Sequence, residues 1–234
     1  MRYRYILFDI DDTLIEFDRS IKNGAAKVME LGGVPVTEEA LERFKELNDN
    51  EWFGSHMEDI NNPYIHDNYH MLYHRYVDNS LKAAIAEFNL KGSFDELMAC
   101  FKKSFGSEAY INKNAISVLE KLCTDHVLCI ATNGLISIQP GKAANFSQYI
   151  SHVFVSEAMN HMKPEREFFD IILKELNCNS DECLMVGDSL VNDINGAALS
   201  GIATCYYNPR RYKNTTSILP DYEINDFIEL LDIV

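Results

Sequence analysis

The sequence predicts an α/β protein: a doubly wound parallel sheet with an all-helical subdomain inserted after the first strand. Three observations predict it. From Val127 onward, short apolar runs alternate with helical stretches, and each run ends in small or polar residues. Between Glu16 and Ser107 the strand pattern disappears and the apolar period becomes helical. The chain has 234 residues, enough for one full core plus an insertion, since single domains extend to roughly 250 residues.

The first strand is read from Tyr5-Ile6-Leu7, an apolar run suited to burial on both faces. It delivers Phe8-Asp9-Ile10-Asp11-Asp12-Thr13-Leu14 to the carboxyl edge of the sheet, where open α/β folds keep their ligands. Asp9 at the strand end and Asp11 in the exit turn have the layout of a carboxylate nucleophile with its own acid/base. A solvated acidic loop has the same letters, so later residues must decide between the two.

The insertion is entered near Phe17-Asp18 and left near Gly106-Ser107, which assigns residues 17–107 to a helical cap and residues 1–16 and 108–234 to the core. Thr37 opens a helix over 38–48, and Ser93 with Glu96 forms a capping box before another. Hanging from the strand that carries Asp9, the cap would act as a lid. Trp52 reads as a packing aromatic of the cap helices rather than a base-stacking platform. His66, His70 and His74 recur every four residues and predict one polar helix face, with no carboxylate pattern to complete a metal site.

The core strands are predicted over Val127–Thr132, 152–156, 183–188 and Ala203–Tyr207, all as buried parallel strands. Helices are predicted over 165–176, introduced by Pro164, and over 190–200, stopped by Gly201. Polar groups cluster at the strand ends. Thr132-Asn133-Gly134 offers a hydroxyl and backbone N–H groups to a phosphate, and Lys163 could neutralise phosphate oxygens, though a turn and a solvated loop lysine would read alike. Asp188 and Asp193 add to Asp9 the hard oxygen ligands that Mg²⁺ takes. Helix N-capping accounts for one of them and poorly for both. Arg210 and Arg211 are expected as surface or rim charges.

Lys and Arg number 21 against 36 Asp and Glu, a net charge of −15. Such a field repels polyanions and excludes a nucleic acid polymer as partner. A phosphate site must then be built locally from a cation, N–H groups and a lysine. The chain runs from Met1-Arg2-Tyr3-Arg4 directly into a strand and holds no long apolar stretch, so no signal peptide and no membrane span are expected. The six cysteines contain no Cys-x-x-Cys pair and read as free thiols in a reducing cytoplasm, and zinc at Cys178 and Cys183 lacks further partners.

In this order, and each at a strand's carboxyl end, these elements resemble the haloacid dehalogenase (HAD) superfamily across the whole core. Asp9 and Asp11 fit its first motif, Thr132 its second, Lys163 its third, and Asp188 with Asp193 its fourth. The resemblance implies a Mg²⁺-dependent phosphomonoester hydrolase. Asp9 would attack phosphorus to form an aspartyl-phosphate, and Asp11 would protonate the leaving alkoxide and then deprotonate the hydrolytic water. Thr132, Asn133 and Lys163 would bind the phosphate. Asp9, the backbone carbonyl of Asp11 and Asp188 would hold the metal, with Asp193 orienting its waters or Lys163.

Asp11 separates the chain from the family's dehalogenases, which lack that acid/base. Sugar phosphomutases of the β-phosphoglucomutase type share every core motif and differ in the cap. A binding protein that kept the fold without the chemistry would have no need of Asp11 or Lys163. Several stretches resemble the pyrimidine 5′-nucleotidase branch: residues 5–17, Ala131-Thr132-Asn133-Gly134, Ala203-Thr204-Cys205 with Asn208-Pro209, and Pro220-Asp221-Tyr222-Glu223-Ile224. In the cap, Asn48, Trp52 and Arg75-Tyr76 match that branch and residues 55–69 depart from it. The implied substrate is a nucleoside 5′-monophosphate or a similar small phosphorylated metabolite, acted on by a monomer or homodimer.

Overall fold

Strand β1 (Tyr5–Phe8) is buried at every position and lies inside a six-stranded sheet, the place its unbroken apolar letters require. The computed structural model describes residues 2–60, 62–107 and 110–234. The chain falls into two compact units, Met1–Glu16 with Tyr110–Val234, and Phe17–Ala109. The expected return to the core at residue 108 lies outside the described residues. Pairing resumes just beyond, where Glu16 N–H donates to the Tyr110 carbonyl at 2.7 Å and Ile15 bridges Ile111.

Among the described residues of the inserted unit, β1 is followed by the helices α1 (Phe17–Leu31), α2 (Glu38–Gly54), α3 (Pro63–Asp67), α4 (Tyr69–Phe88) and α5 (Phe94–Ser107). The core continues with α6 (Ala115–Leu122), β2 (Val127–Thr132), α7 (Gln139–Ala143), β3 (Ile150–Val155), α8 (Ser156–Met159), α9 (Arg166–Leu176), β4 (Cys183–Gly187), α10 (Gly196–Leu199), β5 (Ala203–Tyr207) and β6 (Tyr222–Ile224). All six strands are parallel, in the order β3-β2-β1-β4-β5-β6. The chain builds outward from β1 on one side and returns to its other side at β4. The carboxyl ends of β1 and β4 therefore flank the switch point, where a crevice opens and ligands bind.

Packing follows the letters. Tyr5, Leu7, Cys129, Ala131 and Met185 line one face of the sheet and meet Phe168, Phe169 and Ile172 of α9. Each such side chain contributes about 1.5–3 kcal/mol by leaving water. Strand β3 corrects one expectation: it is an edge strand with only Val155 buried and Val153 44% exposed, although its apolar letters suggest full burial. The helix expected over 190–200 is also split. Residues Leu190–Asn195 form a widened, π-type turn in which Asp193 N–H and Ile194 N–H both donate to the Ser189 carbonyl, and α10 begins only after it. A widened turn of this kind re-aims a side chain, here Asp193.

In the inserted unit, Thr37 Oγ1 accepts from Ala40 N–H at 3.2 Å, and α2 runs on to Gly54. Ser93 and Glu96 exchange side-chain to backbone bonds of 3.0 and 3.3 Å, as a capping box should. Trp52 is half-buried and stands edge-on to Tyr73 and Tyr76, with ring centroids 5.8 and 5.2 Å away. Asn48 accepts from Tyr76 Oη at 2.7 Å and donates to Ser80 Oγ at 3.3 Å, all three being buried. The single histidine face is not formed. His66 belongs to α3, His70 and His74 to α4, and the chain breaks between them at Asn68 (φ −119°).

All six cysteines are free, with Cys129, Cys183 and Cys205 buried. Cys178 and Cys183 lie with their sulfurs 3.5 Å apart, and no candidate metal-ligand group among the described residues includes either. No helix among the described residues is long and apolar enough to cross a membrane.

Candidate active site

Asp9 extends β1 by one residue: its N–H donates to the Val186 carbonyl at 3.0 Å, which fixes the carboxylate at the switch point. Lys163 reaches it from the loop before α9, with Nζ 2.6 Å from Asp9 Oδ1 and 2.6 Å from Asp193 Oδ1. All three residues are buried. Asp188 follows β4 and is tied to the first motif through Thr13, whose hydroxyl accepts from Asp188 N–H at 3.0 Å and donates to Asp188 Oδ1 at 3.2 Å. Ser189 N–H donates to Asp193 Oδ2 at 3.0 Å and holds that carboxylate at the end of β4.

Thr132 ends β2, and its hydroxyl accepts from Gln139 Nε2 at 2.6 Å. The Asn133 carboxamide is committed at both ends to the Lys163 backbone, accepting from its N–H at 2.8 Å and donating to its carbonyl at 2.9 Å. Asn133 thus holds the lysine-bearing loop against the end of β2, and only its backbone N–H is left to serve a phosphate. Gly134 adopts φ +146°, a backbone conformation that side chains rarely take, and its N–H donates to Ser156 Oγ at 3.0 Å.

Asp11 occupies a separate niche. Its Oδ1 is 2.6 Å from Lys142 Nζ and its Oδ2 accepts from Gln139 Nε2 at 3.1 Å. Neither Gln139 nor Lys142 stood out in the sequence. The only signal was a cation among small residues, Gly141-Lys142-Ala143-Ala144, which permit close packing around it.

The charges are unbalanced. Asp9 is pushed up to about 7, first by burial and then by Asp193 and Asp11, against the opposing pull of Lys163. Asp188 is raised well above the carboxylate range by burial and by the charges of Asp193 and Asp9. Lys163 pays a burial penalty, but Asp193 and Asp9 outweigh it and hold the ammonium above its ordinary value. Burial depresses Lys142, and Asp11 opposes this only in part.

Carboxylate oxygens of Asp9, Asp188 and Asp193 lie within 4.8 Å of one another. Three carboxylates facing one ammonium form a donor set short of positive charge, and hard oxygens at this spacing fit a divalent cation. The Asp11 carboxylate is outside this group, so Asp11 could contribute only through its backbone. Beside Asp188 opens a cavity of about 240 Å³, lined by Asp12, Tyr206, Tyr207, Asn208 and Arg210 among others. Arg210 and Arg211 are both exposed.

A parallel sheet with aspartates at the tips of β1 and β4 and a lysine between them defines a class of hydrolase. Residues 6–207 match the family model described as haloacid dehalogenase-like hydrolase, and the chain belongs to that family. It is 27% identical over 236 residues to the pyrimidine 5′-nucleotidase PynA of Streptococcus pneumoniae, covering 99% of this chain and 95% of that one. It is 25% identical to the pyrimidine 5′-nucleotidase YjjG of Escherichia coli, with 98% and 97% covered. Among solved structures it is similar to the magnesium-bound HAD-hydrolase YfnB of Bacillus subtilis, with a TM-score of 0.79, 25% identity and 100% and 99% coverage.

Proposed function

We propose that the chain is a Mg²⁺-dependent phosphomonoester hydrolase acting through Asp9 on nucleoside 5′-monophosphates or similar small phosphorylated metabolites. The observation that carries this reading is the division of labour between two aspartates two residues apart. Asp9 sits with Lys163 in the carboxylate group, whereas Asp11 is held elsewhere on its own donors. A nucleophile and an acid/base act on different atoms of the ester, so each needs its own anchored position.

An Asp9 oxygen forms a bond to phosphorus as the bond to the leaving oxygen breaks, and that oxygen takes its proton from Asp11. In the second half, Asp11 takes a proton from water, whose oxygen displaces Asp9 from phosphorus and releases inorganic phosphate. Lys163, the Thr132 hydroxyl and the backbone N–H of Asn133 would hold the phosphoryl oxygens, the Gly134 N–H being taken by Ser156 Oγ. Each carboxylate–phosphate charge pair at 4 Å opposes the approach by about 4 kcal/mol at an effective dielectric of 20, and Lys163 cancels part of this. Mg²⁺ held by Asp9, Asp188 and the Asp11 carbonyl would supply the remaining neutralisation, with Asp193 anchoring Lys163.

The nucleotide preference is supported by the full-length similarity to two pyrimidine 5′-nucleotidases. The test is a phosphate-release screen over nucleoside monophosphates and sugar phosphates with Mg²⁺ present. Release of inorganic phosphate, strongest with pyrimidine nucleotides, is expected. Absence of release from every ester overturns the reading, and isomer formation without release would make the chain a phosphomutase.

A further inference from the structure

Lys142 has no part in the proposed reaction. Yet among the described residues only two lysines are buried, Lys163 and Lys142. Lys142 is 0% exposed, and its Asp11 partner keeps 23% of its side chain accessible. The cation is thus sealed beneath the carboxylate. Its Nζ is bound to Asp11 Oδ1 at 2.6 Å, whereas the other buried lysine, Lys163, lies against Asp9 itself, so Lys142 acts on the reaction through Asp11.

Its neighbour on α7 completes the arrangement. Gln139, three residues earlier, reaches the other Asp11 oxygen and also Thr132 Oγ1. One oxygen of Asp11 is held by an ammonium and the other by a carboxamide, both from the same short helix. Two anchors fix the plane of the carboxyl group as well as its position. Gln139 in addition sets Asp11 relative to the hydroxyl at the end of β2.

We propose that Lys142 and Gln139 are positioning residues that hold Asp11 in the orientation from which it passes its proton to the leaving oxygen and recovers one from the attacking water. This rests on the phosphomonoesterase reading above. Proton donation matters in proportion to the basicity of the leaving oxygen. An alkoxide needs the proton, whereas a nitrophenolate departs without it. A defect in Asp11 placement therefore discriminates between esters, and a general structural defect does not.

The experiment compares kcat/KM of the native protein, Lys142→Met, Lys142→Arg and Asp11→Asn on uridine 5′-monophosphate and on p-nitrophenyl phosphate, with Mg²⁺ present. This ratio reports the steps through phosphoryl transfer to Asp9 and so isolates the donation step. Lys142→Met is expected to lower kcat/KM on the alkyl ester by roughly tenfold or more, the lower part of the range for acid catalysis. On the aryl ester the loss is less than about threefold, following in smaller amplitude the pattern of Asp11→Asn. Lys142→Arg, which keeps a cation, recovers part of the alkyl activity. Thermal melting confirms that each variant is folded, and Lys142→Gln takes the place of the methionine variant if that chain does not fold. Equal losses on both esters, or undiminished alkyl hydrolysis, overturn the inference. Failure of the native protein to hydrolyse either ester overturns the phosphatase reading instead.

Discussion

The carboxylate of Asp193 rests against the main chain of Gly187, so that a Cβ built on that glycine would lie 2.2 Å from Asp193 Oδ2. A carbon and an oxygen not bonded to each other do not tolerate that separation, and the carboxylate in the way holds Ser189 N–H through Oδ2 and Lys163 through Oδ1. Gly187→Ala should therefore displace Asp193 and, with it, the ammonium beside Asp9. The expected result is at least about a hundredfold loss of phosphate release and about 1–3 kcal/mol of stability, as overpacking of a tight site costs. Steady-state kinetics and urea unfolding check both numbers.

Asp9→Asn removes the nucleophile while keeping its shape. Turnover of an aryl phosphate should vanish, with a folded protein by circular dichroism. Since the site has excess negative charge, the metal-free variant should melt no lower than the native chain. Ordinary turnover in this variant would sink the covalent route.

Removal of divalent metal should silence the enzyme and Mg²⁺ should restore it. Titration calorimetry should show binding that is lost on Asp188→Asn, because the variant removes one of three grouped carboxylates. Activity that persists in excess chelator counts against the three-aspartate site.

The same group predicts a pH dependence. Asp9 in the folded, metal-free protein titrates at about 7, above its ordinary value of 3.8. Between those values the folded state keeps a proton that the unfolded state has released, so this group's contribution to stability falls as pH rises, by at most about 1.4 kcal/mol per pH unit. Bound Mg²⁺ favours the carboxylate and removes that decline. The gap between Mg²⁺-saturated and metal-free unfolding free energies should widen from pH 4 to pH 7, and a constant gap contradicts the charge imbalance.

In the inserted unit, Tyr76→Phe takes the donor away from buried Asn48 Oδ1. A buried acceptor stripped of this bond costs about 1–3 kcal/mol. Denaturant unfolding should show the loss, with little change in kcat on an aryl phosphate.

What could be read from the letters follows the physics of strand ends. Asp9, Thr132 and Asp188 stood out because a buried run stops abruptly at each, so a polar residue there marks the carboxyl edge of the sheet. Lys142 gave no such mark. Its partner Asp11 lies 131 residues away in the chain, and periodicity within one helix carries no record of so distant a contact. Strand β3 misled because an edge strand and a central strand share the same apolar alphabet, and only the order β3-β2-β1 shows that β3 has one neighbour. The regular helix expected around Asp193 gave way to a widened turn in which the Ser189 carbonyl accepts from both Asp193 and Ile194 N–H while Ser189 N–H is bound by the Asp193 carboxylate, a pairing that helical periodicity does not encode. His66 parted from His70 because Asn62 and Asn68 both bond to the short α3 through their side chains and bound it.

The bond from Glu16 to the Tyr110 carbonyl, with the Ile15–Ile111 bridge beside it, means that the chain leaves the sheet unit and rejoins it at a single point. An excursion that starts and finishes in the same place imposes no stretch on its host. Lengthening it adds only about 0.6 kcal/mol of closure entropy per doubling. A change in the length of the helical segment thus leaves the pairing of β1 with β2 and β4, and with it the places of Asp9 and Asp188, to the sheet alone.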